Sequence, residues 1–87
     1  MVASHQIRAG RVMIGMGQKE LADAAGIAVA TLRRMESDDV GPERSSFAAV
    51  EKVCGILRTA GIIFIADNGE GAGVRLRKNR DGPGSST

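Results

Sequence analysis

The sequence predicts a mainly α protein, with four helices followed by a C-terminal β-hairpin. Three observations carry this. Apolar residues recur at helical spacing through four separate stretches before Gly61. Glycines stand where those stretches stop, notably Gly26 and Gly61. The period then changes to two in "VRLRK", with Val74 and Leu76 on one face and Arg75 and Arg77 on the other.

The first helix is expected over about residues 4–14, where Ile7, Gly10 and Ile14 share one face with Arg8 and Arg11 beside it. "GMG" then breaks the pattern, because Gly15 and Gly17 disfavour a helix interior. The second helix is expected over 18–25, with Leu21, Ala22 and Ala25 inward, and Gly26 supplies its left-handed stop. The third is expected over 28–36. Leu32 and Met35 point inward, and Val29, Ala30, Arg33 and Arg34 point out or sideways.

"SDDVGPERSS" has no periodicity and reads as a loop, after which Ser45 or Ser46 can cap a fourth helix over 46–60. Its inner stripe is read as Phe47, Val50, Val53, Cys54 and Leu57. "IIFIA" favours a strand, "DNGEGAG" a turn, and "VRLRK" the returning strand. The organisation is thus a helical domain over 1–61, a hairpin over 62–78, and a tail over 79–87 that has no apolar anchor and is expected to be disordered.

Composition narrows the function. The chain has 87 residues, enough for one small domain that is often marginal as a monomer. Its net charge of +2 does not by itself identify a nucleic-acid partner. With two aromatics, Phe47 and Phe64, it lacks a stacking platform for single strands. A single cysteine excludes an internal disulfide and fits a reducing compartment. Cys54 reads as a small buried hydrophobe, with a redox switch as the alternative, and His5 as inert. With no signal core or membrane-length apolar run, a cytoplasmic protein is expected. No metal cluster, nucleophile triad or phosphate loop supports an enzyme, and no cofactor is expected; "DNGEGAG" lacks the lysine and strand–loop–helix context of a nucleotide site.

The central stretch "QKELADAAGIAVATLRRME" (Gln18–Glu36) is two short helices joined by a tight turn with glycine at its head, the geometry of a helix-turn-helix. In such a pair the first helix crosses the DNA backbone and the second enters the major groove. Together with the preceding "IRAGRVMIGMG", the stretch resembles the phage-repressor (Cro/C1, xenobiotic-response-element) helix-turn-helix family over roughly Ile7 to Leu57. The resemblance rests on the glutamine opening the second helix, the "ELA" core, the Ala-Gly turn, inward Leu32 and the closing Glu36. The C-terminal segment is also similar to the hairpin of many short bacterial members.

The resemblance implies a four-helix Cro/C1-type domain that binds double-stranded DNA in a bacterial cytoplasm, at the nucleoid. It implies that Gln18 contacts a phosphate and can brace the recognition helix. Ala28, Val29 and Ala30 match positions facing base edges, and Arg34 a further one a turn on. Ser37 and Arg44 lie near phosphate positions, and Arg11 and Glu36 match an internal salt bridge. Two departures stand out: Ala28 to Ala30 replace the Gln, Ser or Thr of many relatives, and the following loop is acidic at Asp38 and Asp39.

The residues add their own chemistry. Arg33 and Arg34 are either solvated charges or DNA contacts; an arginine fork can take guanine O6 and N7 together. Val29 is either filler or a partner for a thymine methyl. Lys19 and Thr31 are placed with the phosphate contacts, although Lys19 and Arg8 also read as ordinary solvated charges. "IIFI" is apolar on both faces, and one face has nothing left in the chain to cover it. Ile62, Ile63, Phe64, Ile65, Val74 and Leu76 are therefore read as a homodimer interface.

The resulting expectation is a homodimeric transcriptional regulator, a repressor, on an inverted-repeat operator. RNA polymerase or a regulatory protein is a further candidate partner, and no membrane is. The rival expectation is a protein-interaction module, an antitoxin or antiactivator, gripping its partner through the hairpin or tail.

Overall fold

A computed structural model describes residues 2–78. The expected tail, 79–87, lies outside the described residues. Helix α1 spans Ser4–Met13, α2 Gln18–Ala25, α3 Val29–Glu36 and α4 Phe47–Thr59, and strands β1 Ile62–Ile65 and β2 Gly73–Leu76 follow. The mainly α architecture with a terminal hairpin is the one the sequence predicts. Helix boundaries differ from expectation by single residues. Ala28, expected as the first residue of the third helix, is its extended N-cap (φ −69°, ψ 144°). Ser46 resolves the capping alternative, since its Oγ accepts from the N–H of Ala49 at 3.1 Å.

The stretch read as an unstructured loop contains one short 3-10 turn, Pro42–Arg44. It follows Gly41, whose φ of 81° suits glycine, and it seats Pro42 in the interior. Three residues leave no periodicity to detect, and proline's fixed φ is the only local signal.

One core joins every helix and the hairpin: Ile7 from α1, Leu21, Ala22 and Ala25 from α2, Leu32 and Met35 from α3, Val50, Val53, Cys54 and Leu57 from α4, and Ile62 from β1. Phe47 corrects the expected stripe of the fourth helix, for it is 70 % exposed. It is the first residue of α4, a turn before Val50, and borders a shallow cleft lined by Val2, Val50, Cys54 and Phe64. Cys54 packs in the core as expected, and burial pushes its thiol pKa up, which keeps it protonated and unreactive.

The strands pair antiparallel, Ile62 with Leu76, Ile63 with Arg75, Phe64 with Val74 and Ile65 with Gly73. Ile62 is buried, and Phe64, Val74 and Leu76 pack against the same core. Ile63 and Ile65 alternate with them toward the other face, where Ile65 is 37 % exposed. The tip is ordered by Asp67, whose carboxylate accepts from the backbone N–H of Gly69 and Gly71; those two bonds hold its pKa below the usual range.

Gln6 is a structural residue that sequence reasoning missed. It is buried, and its Nε2 donates to the carbonyls of Ile65 (3.1 Å) and Gly73 (2.9 Å), while its Oε1 accepts from the N–H of Ala3. It thereby satisfies backbone groups where the hairpin ladder ends. His5, read as inert, sits beside it with Nε2 3.0 Å from the carbonyl oxygen of Ala72.

Gly10 lets α1 approach both the hairpin and α4: a Cβ there would lie 3.3 Å from Ile62 Cγ2 and 3.5 Å from Leu57 Cδ1. A Gly10→Val variant should therefore lose about 1–3 kcal/mol of stability by overpacking. Urea unfolding of wild type and variant measures the difference, and a variant as stable as wild type contradicts this packing.

Candidate nucleic-acid interface

Helices α2 and α3 are joined by Gly26, Ile27 and Ala28. Gly26 takes the left-handed conformation (φ 70°, ψ 33°), and the N–H of Ile27 reaches back to the carbonyl of Ala22. This closes the α2 terminus within three residues. Buried Ala22 and Ala25 keep the helices close, and Leu32 and Met35 anchor α3 to the core. The pair is a helix-turn-helix built as its sequence indicates.

The outward surface of α3 carries Ala30, Arg33 and Arg34, all exposed and neighbours at i, i+3 and i+4, with exposed Ala28 at its head. Val29 departs from the expected outward placement, since it is half-buried and packs against the core. It stands one turn before Leu32 and so falls at the edge of the inner stripe. Thr31 and Ser37 are half-buried. Thr31 Oγ1 accepts from Arg34 Nη2 at 3.3 Å, and Ser37 Oγ accepts from the N–H of Asp39 at 3.2 Å. Arg44 is exposed on the 3-10 turn.

The expected Arg11–Glu36 pair is present and is nearly dry. Arg11 Nε donates to Glu36 Oε2 at 2.7 Å and Arg11 Nη2 to Oε1 at 3.0 Å, with side-chain exposures of 14 % and 3 %. This two-pronged pairing is the strong form of a charge-assisted bond. Arg11 Nη1 also donates to the carbonyl of Met16, and Gln18 Nε2 donates to Glu36 Oε1 at 3.1 Å. Gln18 thus braces α3, one of the two roles implied for it.

The other charges sort into paired and unpaired. Lys19 bonds Asp23 one turn on, at an exposed site where such a pair contributes little. Arg8, read as a solvated charge, is instead engaged: its Nη1 donates to the carbonyl of Glu36 at 2.6 Å and lies 3.5 Å from Asp38 Oδ1. Among the described residues, Arg33, Arg34 and Arg44 have no carboxylate partner. The structure therefore brings Ala28, Ala30, Arg33 and Arg34 together on one surface of α3, with Ser37 and Arg44 beyond its C-terminal end.

A family model described as helix-turn-helix matches residues 7–59. The chain belongs to this Cro/C1-type helix-turn-helix family. A comparison with curated proteins finds no match. The match runs from Ile7, within α1, to Thr59 at the end of α4, so the helix-turn-helix pair, α4 and most of α1 fall within it. Membership makes this helix-turn-helix protein a DNA-binding transcriptional regulator. Among the described residues, no helix is long and apolar enough to cross a membrane.

Substituting Glu36→Ala leaves the Arg11 guanidinium without its carboxylate in a nearly dry site, and should cost about 3–5 kcal/mol. Thermal unfolding followed by far-UV circular dichroism measures this loss; an unchanged midpoint contradicts the bracing role of the pair.

Proposed function

We propose that the protein binds a specific duplex sequence through the major groove with α3 as its reading element, acts as a repressor, and does so as a homodimer on an inverted repeat. The observation that carries the DNA surface is the face of α3 itself. Two arginines that have no carboxylate partner among the described residues lie there beside alanines that leave room for close approach. Arg34, steadied by Thr31, supplies a base-directed fork, and Arg33 a second cation.

Ala28 and Ala30 present methyl groups, and the exposed part of Val29 adds to this apolar surface for thymine. Gln18 retains a second amide N–H for a phosphate after bracing Glu36. The first-turn N–H groups of α2, which have no intrahelical partners, favour the same anion. Lys19, Thr31, Ser37 and Arg44 complete the phosphate contacts in this reading.

Dimerisation is supported by the outer hairpin face. Ile63 and Ile65 lie there beside Arg75, while the inner face is already used against the helices. A second copy covering that face buries apolar area that one chain leaves wet. Two-fold pairing would set two recognition helices about 34–36 Å apart, one turn of DNA. The hairpin cannot be treated as a detachable dimer tag, because Ile62 belongs to the shared core.

Three measurements test the reading. Titration against mixed-sequence duplex DNA at low and high salt should show binding that weakens with salt; no binding at low salt by a folded protein sinks it. Arg34→Ala should lower affinity for a selected duplex by about 1–3 kcal/mol while leaving the thermal midpoint unchanged. Ile65→Lys should shift the dimer toward monomer in sedimentation velocity with the helical content retained, and an unaltered dimer places the interface elsewhere.

A further inference from the structure

We propose that Arg8, with Asp38 and Ser4, forms a bracket that positions the DNA-reading surface without touching DNA. The inference rests on the DNA reading above. Arg8 Nη1 donates to the main-chain carbonyl of Glu36, the last residue of α3, at 2.6 Å. Carbonyls at a helix C-terminus lack intrahelical partners, and a cation there is favoured by the helix dipole. The same nitrogen lies 3.5 Å from Asp38 Oδ1, which also accepts from Ser4 Oγ at 2.7 Å. Those two partners hold the Asp38 carboxyl below its usual pKa, the serine bond first and the guanidinium second.

The consequence is geometric. α3 has only eight residues and no side-chain N-cap, so its attitude depends on what grips its C-terminal end. Glu36 is gripped twice, through its carboxylate by Arg11 and Gln18 and through its main chain by Arg8. The loop behind it returns to the same helix, because the N–H groups of Ser37 and Gly41 both donate to the carbonyl of Arg34. Asp38 sits inside that loop, and the turn carrying Arg44 follows directly. Anchoring Asp38 to α1 therefore places Ser37 and Arg44 as well as the end of α3.

The bracket makes a prediction opposite in sign to plain electrostatics. The Asp38 side chain is 72 % exposed, and an exposed acid near a phosphate backbone repels it. Charge alone predicts tighter binding when Asp38 is removed; the bracket predicts weaker binding. The test uses the full chain, a duplex that the wild-type protein selects from a randomised pool, and a mixed-sequence duplex. Affinities are read by fluorescence anisotropy at two salt concentrations, with thermal midpoints alongside.

Asp38→Ala and Arg8→Ala should each weaken binding to the selected duplex by about five- to tenfold, the scale of one lost hydrogen bond in a positioning role. The double variant should be no weaker than Arg8→Ala, because both remove one bracket. Arg8→Lys should recover part of the loss, since an ammonium can still donate to the Glu36 carbonyl. Mixed-sequence binding by Asp38→Ala should be unchanged or tighter.

Tighter binding of Asp38→Ala to the selected duplex overturns the proposal. So does an equal loss for Arg8→Ala on both duplexes with the salt slope reduced by about 0.9, which marks a direct phosphate contact. Variants that bind the selected duplex like wild type sink the bracket alone, whereas a folded wild-type protein that selects no duplex sinks the DNA reading with it.

Discussion

Glu36 is a carboxylate almost removed from water, and the arrangement of three helices follows from what it requires. A buried carboxylate is tolerated only when paired and hydrogen-bonded. Here the partners come from two other helices, Arg11 on α1 and Gln18 at the start of α2. Meeting the needs of one side chain fixes where the end of α3 lies relative to both. The pair need not contribute much net stability to do this; its value lies in specifying one geometry. Arg11 extends the same network to the carbonyl of Met16, and so orders the Gly-containing link between α1 and α2.

Helix α1 emerges as the element that connects the two ends of the molecule. Its Gln6 and His5 contact the hairpin at Ile65, Gly73 and Ala72. Its Ser4, Arg8 and Arg11 contact the end of α3 and the loop beyond. These contacts lie within one helix of ten residues. Gly10 allows this helix to sit close to both Ile62 and Leu57. If two copies join through their hairpins as proposed, α1 transmits that placement to each reading helix. Half-site spacing would then depend on α1 packing as much as on the dimer face.

The proposed reading surface has a plain chemical character. Small side chains at Ala28 and Ala30 offer few polar groups, and hydrogen bonding is concentrated in Arg33 and Arg34. In the proposed reading, such a surface would take thymine methyls, guanine edges and DNA shape rather than a dense pattern of amide contacts. The acidic loop that follows fits this picture because Asp38 is turned to Ser4 and Arg8.

Much of this was legible in the chain. Helical periodicity located the four helices, the Ala-Gly turn located the helix-turn-helix, and strict alternation after Gly73 located the second strand. Arg11 and Glu36 could be paired through the family resemblance. Those features depend on local spacing, or on residue types held at fixed separations. What remained hidden depended on which surfaces meet. Phe47 has the spacing of a core residue, but at the first position of α4 it stays exposed. Val29 looks outward by composition, yet it lies at the margin of the Leu32 stripe. Gln6 and Arg8 carry no signal as polar residues on a first helix; their partners are main-chain carbonyls far along the chain. A carbonyl has no residue identity, so sequence alone determined the elements and their inward faces, while tertiary packing decided which polar side chains would hold those elements in register.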